Sequence, residues 1–146
     1  MSQSHRVIGT TEEALSRAES QLGRLLPASF RAWLKEHNGT SLESVWVYPV
    51  LDDRDPRKTW DSIVRQQELW RSYCADVFDS NVSCESLLPF ASFATGDYYC
   101  FDYSREGAAG EPVVVLWSHE TGEAEPRAES FVDFSTKLAA GEFKHD

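Results

Sequence analysis

The apolar residues of this 146-residue chain change their spacing near its middle. Up to about residue 78 they recur every three to four positions, whereas from Leu87 onwards they alternate or form short continuous runs. A spacing near 3.6 is typical of helices, and a spacing of 2 is typical of strands. Connections of hairpin length favour antiparallel pairing. The sequence therefore predicts an α+β fold: a single domain whose mainly antiparallel sheet is flanked by N-terminal helices, a middle helix and a C-terminal helix.

Capping residues define the two N-terminal helices. Thr10 followed by Glu13 forms a capping box for the first helix, and Gly23 suits the left-handed position that ends it. Pro27 fits the first turn of a second helix, where its missing N–H would have no partner anyway. The pair Asn38-Gly39 predicts the end of this second helix.

Residue type and turn chemistry predict the remaining elements. These are a strand at 45–50, a loop at 51–58, a helix at 59–78, strands at 87–94, 98–103 and 112–117, a loop at 104–111, a short strand after residue 125, and a last helix capped by Ser130 with Asp133 and ended by Gly141. The strand at 112–117 is apolar on both faces, which predicts a position inside the sheet. We interpret residues 1–10 as a flexible lead-in and residues 11–146 as the domain.

The chain carries no sign of a membrane or export segment. No apolar run approaches the roughly 20 residues that a membrane helix needs, and the N-terminus lacks the apolar region of a signal peptide. The three cysteines, Cys74, Cys84 and Cys100, are odd in number and lack paired spacing. We therefore expect reduced thiols in a cytoplasmic protein rather than a structural disulfide.

The negative charge is confined to the second half of the chain. Residues 1–71 contain ten acidic and ten basic side chains, whereas residues 72–146 contain fourteen acidic and four basic ones, which accounts for the net charge of −10. A surface this negative repels phosphate, so direct binding of nucleic acid or of an anionic membrane is not expected. If charge selects a partner, the partner is basic.

The order of short motifs resembles that of the SUKH superfamily. The residues that carry the resemblance span about 11–141 and are Glu19, Leu22-Gly23, Leu26-Pro27, Phe30, Leu34, Asn38-Gly39, Leu88-Pro89-Phe90, Gly96-Asp97, Tyr99, Phe101-Asp102, Val113-Val114, Trp117 and Ser130-Phe131. Each motif is common turn or core chemistry, and the specificity lies in their order and spacing. Most of these positions are expected to serve the fold.

The resemblance implies an α+β fold around a curved sheet and the role of a bacterial immunity protein. Such a protein is a cytoplasmic factor that binds and neutralises the toxin domain of a polymorphic or contact-dependent toxin by occlusion. With the acidic second half, the expected partner is a basic toxin protein, for example a nuclease. Other members are eukaryotic regulatory scaffolds, so a non-catalytic regulatory or scaffold protein that binds a cellular partner is the alternative. The oligomeric state stays open.

No constellation of residues predicts chemistry. Cys100, Asp102 and His119 include the ingredients of a thiol nucleophile, but no nucleophile elbow accompanies them. The four histidines are scattered without metal-ligand spacing, and basic residues interleave with the acidic cluster at 52–55. The small-residue loop at 107–110 is flanked by glutamates that would repel phosphate. The sequence thus predicts no catalytic residue, no metal site, no cofactor and no enzymatic activity.

Exposed acidic and aromatic residues are the candidates for binding a partner. The predicted set is Trp46, Tyr48, Asp97, Asp102, Glu106, Glu111, Glu120, Glu123 and Glu125. Trp46 and Tyr48 share one face of a strand, and that face is either an exposed aromatic anchor or part of the core. Because alternate connections of a meander emerge at opposite ends, the turn before Asp97 is expected to neighbour the connection at 119–125 rather than the loop at 104–111.

Overall fold

The computed structural model describes residues 9–43, 45–77, 84–92, 96–107 and 110–142. Within these ranges the chain forms helices and one six-stranded sheet. The α-helices are α1 (Glu12–Leu22), α2 (Ala28–His37), α3 (Pro56–Thr59), α4 (Ile63–Val77) and α5 (Phe131–Ala139). The strands are β1 (Ser41–Leu42), β2 (Val45–Val47), β3 (Leu87–Ser92), β4 (Tyr98–Glu106), β5 (Pro112–Trp117) and β6 (Ala124–Ala128), and a turn of 3-10 helix (Cys84–Ser86) leads into β3.

The sheet is an antiparallel meander. Its strands lie in the order β1-β2-β3-β4-β5-β6, so each strand pairs with its neighbour in the sequence. The connection between β2 and β3 contains the helices α3 and α4. β5 lies between β4 and β6, in agreement with the prediction from its two apolar faces. The predicted α+β class with an antiparallel sheet is therefore confirmed.

An aromatic cluster fills the first face of the sheet. Phe90 of β3 and Phe101 of β4 stack with ring centroids 4.1 Å apart. Phe30 of α2 contacts both rings edge-on, and its centroid lies 5.0 Å from that of Phe131 of α5. Such aromatic pairs contribute about 0.5–1.5 kcal/mol each beyond the burial of their surface. This cluster therefore holds α2 and α5 against the two middle strands.

The second face of the sheet packs against α4. Adjacent residues of a strand point to opposite faces, so Cys100 and Val115 lie behind the aromatic cluster. These two residues and Trp117 form a second core with Trp70 and Cys74 of α4. The Trp70 and Trp117 rings meet edge-to-face at 5.6 Å. The middle strands are thus buried on both faces.

The first helix is capped by Thr11 rather than by the predicted Thr10. The Thr11 hydroxyl accepts a hydrogen bond from the Ala14 N–H at 3.1 Å. The Thr10 hydroxyl instead donates to the carboxylate of Asp52 at 2.7 Å. The predicted end is confirmed, because Gly23 has φ of 76° and its N–H donates to the Glu19 carbonyl.

Three other predicted boundaries shift. The strand predicted at 45–50 ends at Val47, and the loop predicted at 51–58 contains the single turn of α3. The third helix begins at Ile63 instead of residue 59, and the Ser62 hydroxyl accepts from the N–H of Arg65 near its start. β4 extends to Glu106, because Glu106 pairs with Pro112 in the ladder between β4 and β5.

One cysteine departs from the expectation of reduced thiols. Cys74, on the buried side of α4, is disulfide-bonded. Cys100 is a free, fully buried thiol, and burial raises its pKa well above the ordinary value. Among the described residues, no helix has the length and apolar character to cross a membrane.

The described chain begins with a segment docked on α2. Gly9 is buried with φ of 79°, and the N–H of Thr10 donates to the carbonyl of Lys35 at 3.2 Å. A Cβ atom on Gly9 would lie 1.8 Å from that same carbonyl oxygen. Residues 1–8 lie outside the described residues, so the boundary between a lead-in and the domain stays a prediction.

Replacing Gly9 by Ala is expected to lower the free energy of unfolding by about 3 kcal/mol, because the left-handed backbone is strained and the new Cβ overlaps the Lys35 carbonyl. Gly23→Ala is the matched control, since its φ is similarly positive but a Cβ there meets nothing within 4 Å. The control should lose about 1–2 kcal/mol. Urea denaturation measures both variants, and equal losses would show that Gly9 is not held against α2.

Ion pairs and a buried carboxylate connect α1 to α2. Glu19 is 8% exposed and accepts from the N–H of Leu26 at 2.8 Å and from Arg31 Nε at 3.0 Å. Arg31 also binds Glu12, which contacts Lys35 as well. Hydrogen bonds from Arg31 and Lys35 lower the pKa of Glu12 to about 2. The Glu19 position in the family-like pattern therefore serves the packing of the two helices.

The free energy of unfolding is expected to decrease as the pH is lowered, and Glu12 accounts for part of the decrease. The unfolded chain binds a proton at this carboxyl near the ordinary pKa of 4.5, whereas the folded chain keeps it ionised down to about 2. Over this window the unfolded state binds more protons, so acidification favours unfolding. Chemical denaturation should show a smaller loss between pH 4.5 and about 2 for Glu12→Gln than for the parent. Glu13→Gln, in the same helical turn, is the control, and an unchanged slope in E12Q would contradict the ion-pair assignment.

Candidate partner-binding surface

The acidic connections emerge at two opposite ends of the sheet. The β3–β4 connection and the β5–β6 turn meet at the first end. There Asp97 Oδ1 accepts from the N–H of His119 at 3.0 Å and lies 2.6 Å from its Nδ1. The predicted proximity of Asp97 to the connection at 119–125 is therefore confirmed. Glu120 and Glu123 lie exposed in the same β5–β6 turn, and we call Asp97, Glu120 and Glu123 the acidic sheet end.

Glu125 lies just beyond this turn. It is an exposed residue of β6, paired across the ladder with Leu116. Its carboxylate lies 3.5 Å from Arg127 Nη1, a long contact between two side chains on an edge strand. Glu125 therefore extends the acidic sheet end along the sheet edge.

At the opposite end of the sheet, Glu111 is an acceptor for α2. Its two carboxylate oxygens accept from the backbone N–H of Ser29 at 3.0 Å and from the Ser29 hydroxyl at 2.6 Å. A carboxylate at the first turn of a helix satisfies free N–H groups and complements the helix dipole. Pro27, at the cap position, provides no side-chain hydrogen bond of its own. Glu111 thus performs the capping that the local sequence of α2 does not supply.

Asp102 and Glu106 differ in exposure at this same end. Asp102 is 4% exposed; its carboxylate accepts from the backbone and hydroxyl of Ser104 and pairs with Arg105 at 3.1 Å. Glu106 is exposed at the end of β4. Of the predicted acidic residues at this end, Glu106 is therefore the one that presents its carboxylate to solvent.

Trp46 and Tyr48, which the sequence pattern places on one face of a strand, differ in exposure, and β2 ends between them at Val47. Trp46 is 36% exposed, whereas Tyr48 is 3% exposed and burial raises the pKa of its hydroxyl. Of the two alternatives, an exposed aromatic anchor describes Trp46, and a core position describes Tyr48. Trp46 pairs with Ser92 and Ser92 pairs with Tyr98, which places Trp46 and the half-buried Tyr98 on the same face of the sheet, the one that α4 covers.

The outer side of α4 extends this accessible region. Leu69 and Tyr73 are 51% and 41% exposed and lie one turn apart. The Tyr73 ring lies 6.1 Å from Trp117, which in turn lies 5.9 Å from Tyr98. Near the start of α4, Trp60 is 58% exposed. We call Trp46, Trp60, Leu69, Tyr73 and Tyr98 the aromatic surface.

An internal ion pair lies at one edge of the aromatic surface. The Arg65 guanidinium stacks over the Trp60 ring, 4.7 Å from its centroid. Its Nη1 atom also lies 2.7 Å from Asp61 Oδ1. The guanidinium is therefore held between an aromatic face and a carboxylate.

The sequence analysis named Trp46 but not the outer side of α4, because the spacing of apolar residues in this segment was used only to predict a helix. The inner side of α4 consists of Ile63, Gln67, Trp70 and Cys74. Gln67 is 4% exposed, and a polar residue on the buried side hides the true stripe. The sequence does contain a signal for the outer side. Leu69 and Tyr73 are four residues apart and so share one side of a helix, and that side differs from the side of Trp70.

The reactive side chains do not converge. His119 pairs with Asp97 at one end of the sheet, whereas Asp102 binds Ser104 and Arg105 at the other. Cys100 is enclosed in the core with a raised thiol pKa, which disfavours the nucleophilic thiolate. In the described ranges, no group of three His, Cys, Asp or Glu side chains could hold a metal ion. The structure therefore does not bring Cys100, Asp102 and His119 together.

The described residues thus define an α+β meander that is covered on both faces and has accessible aromatic and acidic residues at one end. The chain belongs to the SMI1/KNR4 family (SUKH-1), whose sequence profile matches residues 9–137. A crystal structure of a protein from Pseudomonas syringae pv. tomato shares the fold, with a TM-score of 0.57 and 20% identity over 93% of this chain and 88% of that one. No curated protein matches the chain.

Replacing Glu111 by Ala is expected to lower the free energy of unfolding by about 1–2 kcal/mol, because the Ser29 N–H and hydroxyl lose a charged acceptor. The matched control is Glu106→Ala in the same hairpin, which removes an exposed carboxylate and should change stability by less than about 0.5 kcal/mol. Thermal and urea unfolding report both. If the two variants lose equal stability, Glu111 does not cap α2.

Proposed function

We propose that this protein is an immunity protein that binds a toxin protein and neutralises it by occlusion, without chemistry of its own. Membership of the SMI1/KNR4 family supports a protein partner. The observation that carries the proposal is the acidic sheet end, where Asp97 binds the β5–β6 turn through His119 and that turn exposes Glu120 and Glu123. The protein acts in the cytoplasm, where such a toxin would reach its target.

The partner in this proposal is a basic toxin domain. The chain has a net charge of −10, and its acidic excess lies in the half that forms β3 to β6 and the last helix. A nuclease has a positive surface because it binds phosphate, and that surface is complementary to exposed carboxylates. Charge complementarity of this kind raises association rates by about 10- to 1,000-fold at low ionic strength.

Occlusion requires only that the protein cover the positive surface on which the toxin depends. In the proposed complex, the exposed carboxylates of Glu120 and Glu123 take the positions that substrate phosphates would otherwise occupy. Because the thiol of Cys100 is enclosed in the core and His119 is paired with Asp97, the accessible groups at this end are suited to binding. Neutralisation then depends on affinity and geometry alone.

The double variant Glu120→Lys/Glu123→Lys is expected to slow association with the toxin by about tenfold at low salt, because steering charges are reversed. The toxin to use is the domain encoded beside this chain in its genome, and rates are measured by surface plasmon resonance across ionic strength. The control is Glu13→Lys/Glu36→Lys, which makes the same change in net charge at exposed positions of α1 and α2.

Growth of cells that express the toxin gives the functional readout. The parent chain should restore growth and co-purify with the toxin. An association rate that does not depend on salt, or equal effects of the two charge-reversed variants, would contradict the role of the acidic sheet end. A chain that neither binds nor protects against the neighbouring toxin, yet purifies with a cellular protein, would instead support the scaffold alternative.

A further inference from the structure

We propose that the aromatic surface is a docking surface for the arginine- and lysine-rich face of a partner protein. The inference rests on the proposed function and deepens it, since it adds an apolar centre to the acidic sheet end. In this proposal the apolar centre binds guanidinium and ammonium groups, which lie on aromatic rings beside carboxylates.

The aromatic surface is larger than scattered apolar exposure explains. Trp60, Leu69 and Tyr73 are each more than 40% exposed; Leu69 and Tyr73 lie one turn apart on α4, and Trp60 lies in the segment before it. Tyr73 contacts Trp117, and Trp117 contacts Tyr98 of β4. Contiguous exposed apolar patches mark interaction sites, and aromatic residues are enriched in the buried centre of protein interfaces.

The aromatic surface is continuous with the acidic sheet end. The Tyr73 hydroxyl donates to the carbonyl of His119 at 3.3 Å, and His119 pairs with Asp97. Glu120 follows directly in the turn and is exposed. Carboxylates therefore border the aromatic residues on this side, which is the arrangement of an interface with an apolar centre and a charged rim.

Charge decides which partner fits this surface. A second copy of the chain would bring the same carboxylates against each other, and each copy has a net charge of −10. Like charges placed opposite one another across an interface oppose association. A basic partner meets attraction at the rim and places the apolar stems of its Arg and Lys side chains on the rings.

The protein already contains one example of the proposed contact. Arg65 lies over the Trp60 ring at 4.7 Å and pairs with Asp61 at 2.7 Å. Tyr73 offers a ring 41% exposed, its hydroxyl binds the carbonyl of His119, and the next residue is the exposed Glu120, so an aromatic face and a carboxylate again belong to one region. A partner's guanidinium would gain both a cation–π contact and a charge-assisted hydrogen bond there.

A nona-arginine peptide is the probe, because it presents guanidinium groups without a fold of its own. Titration into the 15N-labelled protein at low salt should shift the indole resonance of Trp46 and the backbone resonances around Tyr73. Tyr73→Ala should weaken binding by about three- to tenfold, whereas Tyr73→Phe should keep it because the ring remains. Trp46→Ala is a second variant that makes the test independent of how Tyr73→Ala affects packing against Trp117.

The matched control is Val132→Ala. Val132 is 55% exposed and lies on α5, the helix that covers the first face of the sheet, away from the aromatic surface. It should leave peptide affinity unchanged, and a nona-glutamate peptide should not bind. The proposal is overturned if resonance shifts cluster elsewhere, if the aromatic variants bind like the parent, or if sedimentation shows a dimer that Tyr73→Ala dissociates.

The peptide test is independent of toxin neutralisation. If the peptide maps to the aromatic surface but the neighbouring toxin is not neutralised, the proposed function fails and the docking chemistry stands. If the toxin is neutralised and charge reversals alone alter its binding, the proposed function stands and the aromatic surface is not its centre. With the toxin itself, aromatic variants are expected to raise the dissociation rate and leave the association rate unchanged.

Discussion

Three consecutive strands that are apolar on both faces impose the architecture of this protein. β3, β4 and β5 alternate between Phe90, Phe101 and their neighbours on one side and Cys100, Val115 and theirs on the other, so both sides must be covered. α1, α2 and α5 cover one side; α4 covers the other through Trp70 and Cys74, while Ile63 at its start packs into the core of the first side. A single helix covers less of a sheet than three helices do, and the accessible aromatic residues lie where α4 meets the end of the sheet. The candidate interaction surface is thus a consequence of how the second face is covered.

The acidic residues divide between structure and surface, and the division explains how a chain with a large negative charge folds. Glu19 accepts hydrogen bonds from Leu26 and Arg31, and Glu111 accepts from Ser29. Each carboxylate thus supplies an acceptor for a backbone N–H near the start of α2. Glu120 and Glu123, in a turn, remain exposed. Carboxylates that bind backbone N–H groups stabilise the fold, whereas exposed ones contribute mainly to long-range attraction of a partner.

Local rules predicted much of the fold. The left-handed end of α1 at Gly23 and the cap of α5 at Ser130, whose hydroxyl accepts from the Asp133 N–H, depend on residues within a few positions. The choice between Thr10 and Thr11 as the first cap did not follow the same rule. Thr10 has the right chemistry, but its hydroxyl binds Asp52, 42 residues away. A contact between distant residues overrode the local pattern.

The amino-acid sequence by itself determined the change from helices to strands, most of the helix ends and the unequal distribution of charge, because spacing, turn chemistry and composition are local properties. Only the tertiary structure decided that Tyr73 and Leu69 face outward while Gln67 is enclosed, that Tyr48 is core while Trp46 is accessible, and that Glu111 caps α2. Burial and pairing depend on which distant elements pack together. In this protein that packing, rather than the pattern along the chain, selects the groups that a partner can reach.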